Sequence, residues 1–173
     1  MKLIGLAGWS GAGKTTLLTR LIPCLALRGV GVSTLKHAHH RFDVDTPGKD
    51  SWLHREAGAR QVLVSSEHRW ALMTENRGAP EPGLRFLLGR LSPVDLVIVE
   101  GFKRDSHPKI EVHRAANGKP WIHPEDPQVA AVASDIRPPT RPLGNLPWAP
   151  LDDVEAIADL VQRYAVDLAA WQG

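Results

Sequence analysis

The octapeptide Gly8-Trp9-Ser10-Gly11-Ala12-Gly13-Lys14-Thr15 follows directly on the apolar run Leu3-Ile4-Gly5-Leu6-Ala7 and satisfies G-x-x-x-x-G-K-S/T at every fixed position. An apolar strand that breaks into a glycine-rich loop and then into a helix-like run, Thr15 to Arg28, constrains the chain to an α/β architecture in which the loop wraps an anion. Glycines at 8, 11 and 13 let consecutive backbone N–H groups turn inward, and the following helix adds its positive end. Gly11, Ala12, Gly13, Lys14, Thr15 and Thr16 are therefore the candidate nucleotide-binding residues. Lys14 is expected to reach the β- and γ-phosphates, and Thr15 to hold Mg2+ through its hydroxyl.

With 173 residues the chain has length for one α/β domain, read as residues 1–173. Hydrophobic residues at 43% and charged residues at 23% fit an ordinary globular chain, and a formal charge of +2 gives no general electrostatic case for nucleic acid or a membrane surface. Cys24 is the only cysteine, which excludes an intramolecular disulfide and fits a reducing compartment. Its expected place is a small buried position on the first helix. A strand starting within two residues of Met1 leaves no space for a secretory or transit segment, and no apolar run approaches a membrane span. The expected localisation is cytoplasmic.

Leu17, Leu18, Leu21, Ile22 and Leu25 recur at helical spacing, with Pro23 expected to bend or break that helix. Residues 30–36 read as a strand, and the polar stretch His37 to Ser51 as a functional loop. A short helix from about Asp50 to Ala57, strands Gln61–Ser65 and Trp70–Thr74, and a helix Leu84–Leu91 follow. Asp95-Leu96-Val97-Ile98-Val99-Glu100-Gly101 is the clearest internal strand, its unbroken apolar run suited to burial on both faces of a parallel sheet. Strands at Lys109–Arg114 and Val129–Ser134 come next. Residues 121–150 otherwise read as proline-rich loop, before a closing helix marked by Val154, Ile157, Ala158, Val161, Tyr164, Ala165 and Leu168.

A bound nucleoside triphosphate needs a second magnesium contact, commonly an acid at the end of a buried strand beside the loop. Glu100 stands at the carboxyl end of its strand, the edge where open α/β sheets bind ligands, whereas Asp95 begins the same strand at the far edge. Glu100 is thus the metal candidate together with Thr15, and Asp95 a cap or surface charge. His37, His39, His40, Asp43 and Asp45 have the ligand types of a transition-metal site without its spacing, and fit a switch or substrate loop better. Lys103 and Arg104 add positive charge at the same rim. Asp135, ending a late strand, has two readings of equal weight: a carboxylate accepting from N1–H and the exocyclic amine of guanine, or a cap on the next turn.

Three segments together resemble one family, the B proteins of molybdopterin-guanine dinucleotide biosynthesis. They are Gly8 to Thr16, Lys36-His37-Ala38-His39-His40 continuing through Phe42-Asp43-Val44-Asp45-Thr46-Pro47-Gly48-Lys49-Asp50-Ser51, and Asp95-Leu96-Val97-Ile98-Val99-Glu100-Gly101-Phe102-Lys103. The resemblance spans residues 3 to 135, and the middle segment is its most specific part. It implies a three-layer P-loop domain with a mostly parallel central sheet that binds GTP with Mg2+ and hydrolyses it weakly. It also implies a homodimer with sheets joined across subunits, and cooperation with the molybdopterin guanylyltransferase that attaches GMP, with molybdopterin itself a candidate ligand.

A small-molecule P-loop kinase is the rival reading, since the Lys36–Asp50 loop has the polarity to bind a second substrate. Such an enzyme wants an arginine-bearing lid, and Arg137 and Arg141, the late candidates, lie among prolines. A nucleic-acid NTPase is disfavoured by the near-neutral charge and the lack of a basic stripe.

Overall fold

The computed structural model describes residues 1–38, 42–139 and 146–173. They form two compact units, Met1–His37 with Leu84–Gly173, and Ala38–Gly83.

The larger unit is a three-layer α/β sandwich. Its strands are β1 (Lys2–Ala7), β2 (Val32–Lys36), β5 (Leu96–Glu100), β6 (Lys109–His113), β7 (Val129–Ser134), β8 (Trp148–Pro150) and β9 (Val166–Asp167), and its helices are α1 (Lys14–Leu27), α3 (Leu84–Leu88) and α4 (Val154–Tyr164). The sheet order is β2-β5-β1-β6-β7-β8, parallel throughout, with β9 antiparallel beside β1. Alternation along the strands divides the core. Ile4, Leu6 and Ile98 pack with Leu17, Leu21, Leu25, Ile157 and Val161 of α1 and α4. Leu3, Val97 and Val99 meet Leu84 and Leu88 of α3 and Trp171 on the other side. Both faces being covered, β1 and β5 are continuous apolar runs, the arrangement that parallel strands require.

Helix α1 runs unbroken through Pro23, so the break allowed for in the sequence does not occur. Pro23 faces solvent, where a missing backbone donor costs least, while Leu21, Cys24 and Leu25 on either side are buried and hold the turn. Three further expectations need correcting, two of them at the C-terminal end. Residues 148–150 form β8 rather than loop, an edge strand on which Pro150 is tolerated. The last helix stops at Tyr164, and Ala165 and Leu168 leave it because residues 166–167 pair with β1. Helix α3 ends at Leu88 rather than Leu91.

Helix α2 (Asp50–Glu56) and the antiparallel pair β3 (Gln61–Ser65) and β4 (Trp70–Thr74) make up the smaller unit. Arg55 is its hub, donating through Nη2 to Asp43 Oδ2 at 2.6 Å, through Nε to Asp45 Oδ2 at 3.1 Å and through Nη1 to Glu75 Oε1 at 2.9 Å. Ser51 Oγ donates to Asp45 Oδ1 at 2.7 Å. These contacts hold the Asp43 carboxyl below the usual range, first through the Asp45 N–H it accepts and then through Arg55. In this unit Leu63 and Leu72 pair directly across the hairpin, and with Trp70 they leave one apolar face open to solvent. Among the described residues, no helix is long and apolar enough to cross a membrane.

Candidate nucleotide site

At the carboxyl edge of the parallel sheet, β1 ends at Ala7 and the chain turns through residues 8–13 into α1. Gly13 is the N-cap of α1 at φ 93°, a left-handed conformation that strains any residue with a Cβ. Gly8 is constrained by space instead, since a Cβ there would stand 2.6 Å from the Val112 carbonyl oxygen. The loop therefore lies tight against β6 and curls over the helix end, a cradle that only glycine at these two positions permits.

The N-cap of α1 is Gly13, which has no side chain to cap with; among the described residues no side chain caps the helix start, and its first turn holds no acid. Helix α4 is different: Asp153 accepts from the Ala156 N–H at 3.0 Å. The chain supplies its own carboxylate to the start of α4 and none to the start of α1. A phosphate group fits what these residues offer, namely a positive helix end, a positive-φ glycine cradle and an adjacent ammonium. Lys14 Nζ donates to the carbonyls of Gly8 at 2.9 Å and Trp9 at 3.1 Å, which folds the ammonium back over the loop. Burial lowers the Lys14 pKa; Glu100 opposes that shift, and Lys103 and Lys36 add to it.

Glu100 ends β5 in register with Leu6 of β1 and Lys36 of β2, beside the strand that feeds the loop. Its side chain is 15% exposed, and Lys36 Nζ lies 3.7 Å from Oε2. Thr15 and Thr16 occupy the first turn of α1 and are exposed. A hydroxyl and a carboxylate on adjacent elements of one sheet edge are the hard oxygen donors that Mg2+ prefers. Asp95, at the opposite end of β5, accepts from the Gly31 N–H at 2.7 Å, in keeping with a capping role.

Asp135 lies just beyond β7, exposed, with Oδ1 accepting from the Ala115 N–H at 2.9 Å. It thus braces the connection that follows β6, 20 residues upstream, and not the turn that comes after it. Lys103 Nζ sits 5.0 Å from the Trp9 ring centre, a cation–π contact that fixes it beside the loop. Arg137 lies over Trp148 at 5.0 Å; Arg141 falls outside the described residues. So do His39 and His40, and with them most of the histidine cluster. Asp43 and Asp45 of that segment are engaged by Arg55.

Sequence reasoning passed over the residues that hold the loop from the β6 side. Asn117 Nδ2 donates to the Ser10 carbonyl at 2.9 Å, and Trp9 Nε1 to the Pro120 carbonyl at 2.7 Å. Arg114 Nη2 lies 3.6 Å from where a Cβ on Gly13 would stand. Only the adjacency of β1 and β6 brings these residues together, and no motif in the chain announces it.

Comparison with known proteins gives the family. The profile of the family described as molybdopterin guanine dinucleotide synthesis protein B matches residues 3–135. The chain is 49% identical over 167 residues to the molybdopterin-guanine dinucleotide biosynthesis adapter protein of Escherichia coli, covering 94% of this chain and 92% of that protein. It is 48% identical over 137 residues to the adapter protein of Haemophilus influenzae, covering 77% of this chain and 74% of that one. A crystal structure of molybdopterin-guanine biosynthesis protein B superposes with a TM-score of 0.72 at 30% identity, over 93% of this chain and 97% of the other. On these grounds the chain belongs to the molybdopterin guanine dinucleotide synthesis protein B family.

Proposed function

We propose that this protein is an adapter in molybdopterin guanine dinucleotide biosynthesis that binds GTP with Mg2+ on the loop of residues 8–16 and presents it to, or senses it for, the molybdopterin guanylyltransferase. The observation that carries the reading is the uncapped start of α1 inside a glycine cradle with Lys14 folded over it. Backbone N–H groups of residues 11–16 bind the phosphates, and the Lys14 ammonium exchanges its two carbonyl acceptors for phosphate oxygens. Thr15 and Glu100 would hold Mg2+, which would supply charge neutralisation to the phosphates. Asp135 takes the guanine edge, its orientation fixed by the Ala115 N–H.

Hydrolysis is weak in this reading. Glu100, the acid at the end of β5 beside the loop-bearing strand, is committed to the metal in this reading and so is unsuited to activating water. The exposed Leu63, Trp70 and Leu72 face forms the homodimer contact, because a two-stranded sheet is marginal without a covered face.

Isothermal titration of the full chain with GTP and ATP in Mg2+ tests the assignment. Tighter binding of GTP, with stimulation of guanylyl transfer when the adapter is added to a molybdopterin guanylyltransferase, is the expected result. Equal affinity for the two nucleotides removes the guanine assignment, and stoichiometric transfer of the γ-phosphate to a metabolite replaces the adapter by a kinase.

A further inference from the structure

We infer that Arg114 is a second cationic contact of the nucleotide, meeting its α-phosphate from the β6 side of the loop. This rests on the nucleotide reading above and adds to it a residue that lies outside the phosphate-loop motif.

Three observations carry it. Arg114 follows the carboxyl end of β6, the ligand edge of the sheet, and its Nη2 and Nε lie 3.6 and 3.8 Å from the Cβ position of Gly13 at the start of α1. Its side chain is half-buried, yet among the described residues no carboxylate pairs with the guanidinium and no acceptor takes its N–H groups. A guanidinium at the ligand edge that spends none of its N–H groups on a carboxylate has its paired donors available to an anion. The backbone beneath it is also fixed, by Asp135 on Ala115 N–H and by Asn117 on the Ser10 carbonyl, so little ordering is left for a ligand to impose.

Sheet order names the phosphate. The strands run β5-β1-β6-β7, with Glu100 and its metal role on β5 and Asp135 and its base role beyond β7. A nucleotide laid across that edge runs from γ-phosphate at β5 to guanine at β7. Its α-phosphate then passes β6, where Arg114 stands. A planar guanidinium suits this position, since it offers paired donors to two oxygens of one phosphate.

The test uses the full chain with Arg114→Ala, Arg114→Lys and Lys14→Ala, titrated calorimetrically with GTP and GDP at fixed Mg2+, with thermal unfolding run on each variant. Arg114→Ala weakens GTP and GDP by a similar factor, about 10- to 100-fold, because both carry the α-phosphate. Arg114→Lys recovers part of that loss, and neither change moves the unfolding temperature. Unchanged affinities overturn the inference, and so does a loss confined to GTP, which would put Arg114 at the γ-phosphate. Should Arg114→Ala fail to fold, the Lys variant decides: wild-type affinity for both nucleotides overturns the inference, and a shared loss supports it. Where Lys14→Ala loses binding and Arg114→Ala does not, only the inference falls; where the wild type binds neither nucleotide, the nucleotide reading falls and takes it along.

Discussion

Trp9 and Pro120 are 111 residues apart in the chain, yet the indole Nε1 of one donates to the carbonyl of the other at 2.7 Å. The second residue of the phosphate loop is thereby tied to the connection that leaves β6. Trp9→Phe keeps an aromatic face and removes the donor, so GTP affinity falls roughly 2- to 10-fold, the size of one neutral hydrogen bond. Calorimetric titration measures it, and a fold-independent control is the unchanged far-ultraviolet spectrum.

Glu100→Gln removes the charge at the end of β5 while keeping its shape. The expected outcome is loss of the Mg2+ effect: the GTP affinity of the variant in Mg2+ drops to the level the wild type shows with EDTA. Retention of a full Mg2+ effect would take Glu100 out of the metal role.

Asp135 holds the Ala115 N–H and, in the proposed function, reads the guanine edge; one substitution separates the two. Asp135→Ala lowers GTP affinity at least 10-fold and ATP affinity much less, so the preference for GTP collapses. An equal fall for both nucleotides would reduce Asp135 to its hold on the Ala115 N–H.

His107 is fully buried, and among the described residues neither ring nitrogen has a hydrogen-bond partner. Burial, with the Lys109 charge adding to it, pushes its pKa down to about 4. The folded protein keeps this ring neutral while the unfolded chain protonates it near its ordinary value, so the unfolded state binds the extra proton as pH drops. Stability is therefore full above about pH 6.5 and falls on acidification towards pH 4, by on the order of 3 kcal/mol. Urea denaturation across this range measures the slope, and His107→Leu flattens it.

Leu63 and Leu72 face each other across β3 and β4 on the open side of the hairpin. Replacing Leu72 by Glu puts a charge into any interface built there, and light scattering after gel filtration is expected to show monomer where the wild type shows dimer. An unaltered mass would move the dimer contact elsewhere.

Much of the larger unit could be read from residues alone, for an identifiable reason. β1, β5 and β7 are short apolar runs because sheet neighbours and helices cover them, and α1 and α4 bury stripes at helical spacing. β6 is less plain: Lys109, Glu111 and His113 alternate with apolar residues and suggest an exposed face, but all three are buried. Lys109 Nζ reaches Asp126 at 3.2 Å and the Asp105 carbonyl at 2.8 Å, and Glu111 accepts the N–H groups of Ile122 and His123. β8 escaped notice because three residues ending in proline carry almost no local signal, and β9 because residues 154–168 keep a helical period past the point where β1 captures the backbone. In the site, the loop and Glu100 were legible as motif and strand end. Arg114 and Asn117 were not, since lone polar residues acquire meaning there only when the sheet sets β6 beside β1.

Lys14 holding the Gly8 and Trp9 carbonyls means that the loop keeps its curl through its own ammonium. In the proposed function an incoming triphosphate would swap acceptors on a finished receptacle, with little backbone left to order. Under that reading the nucleotide would load before any partner is met, leaving the order of encounters to supply rather than to shape.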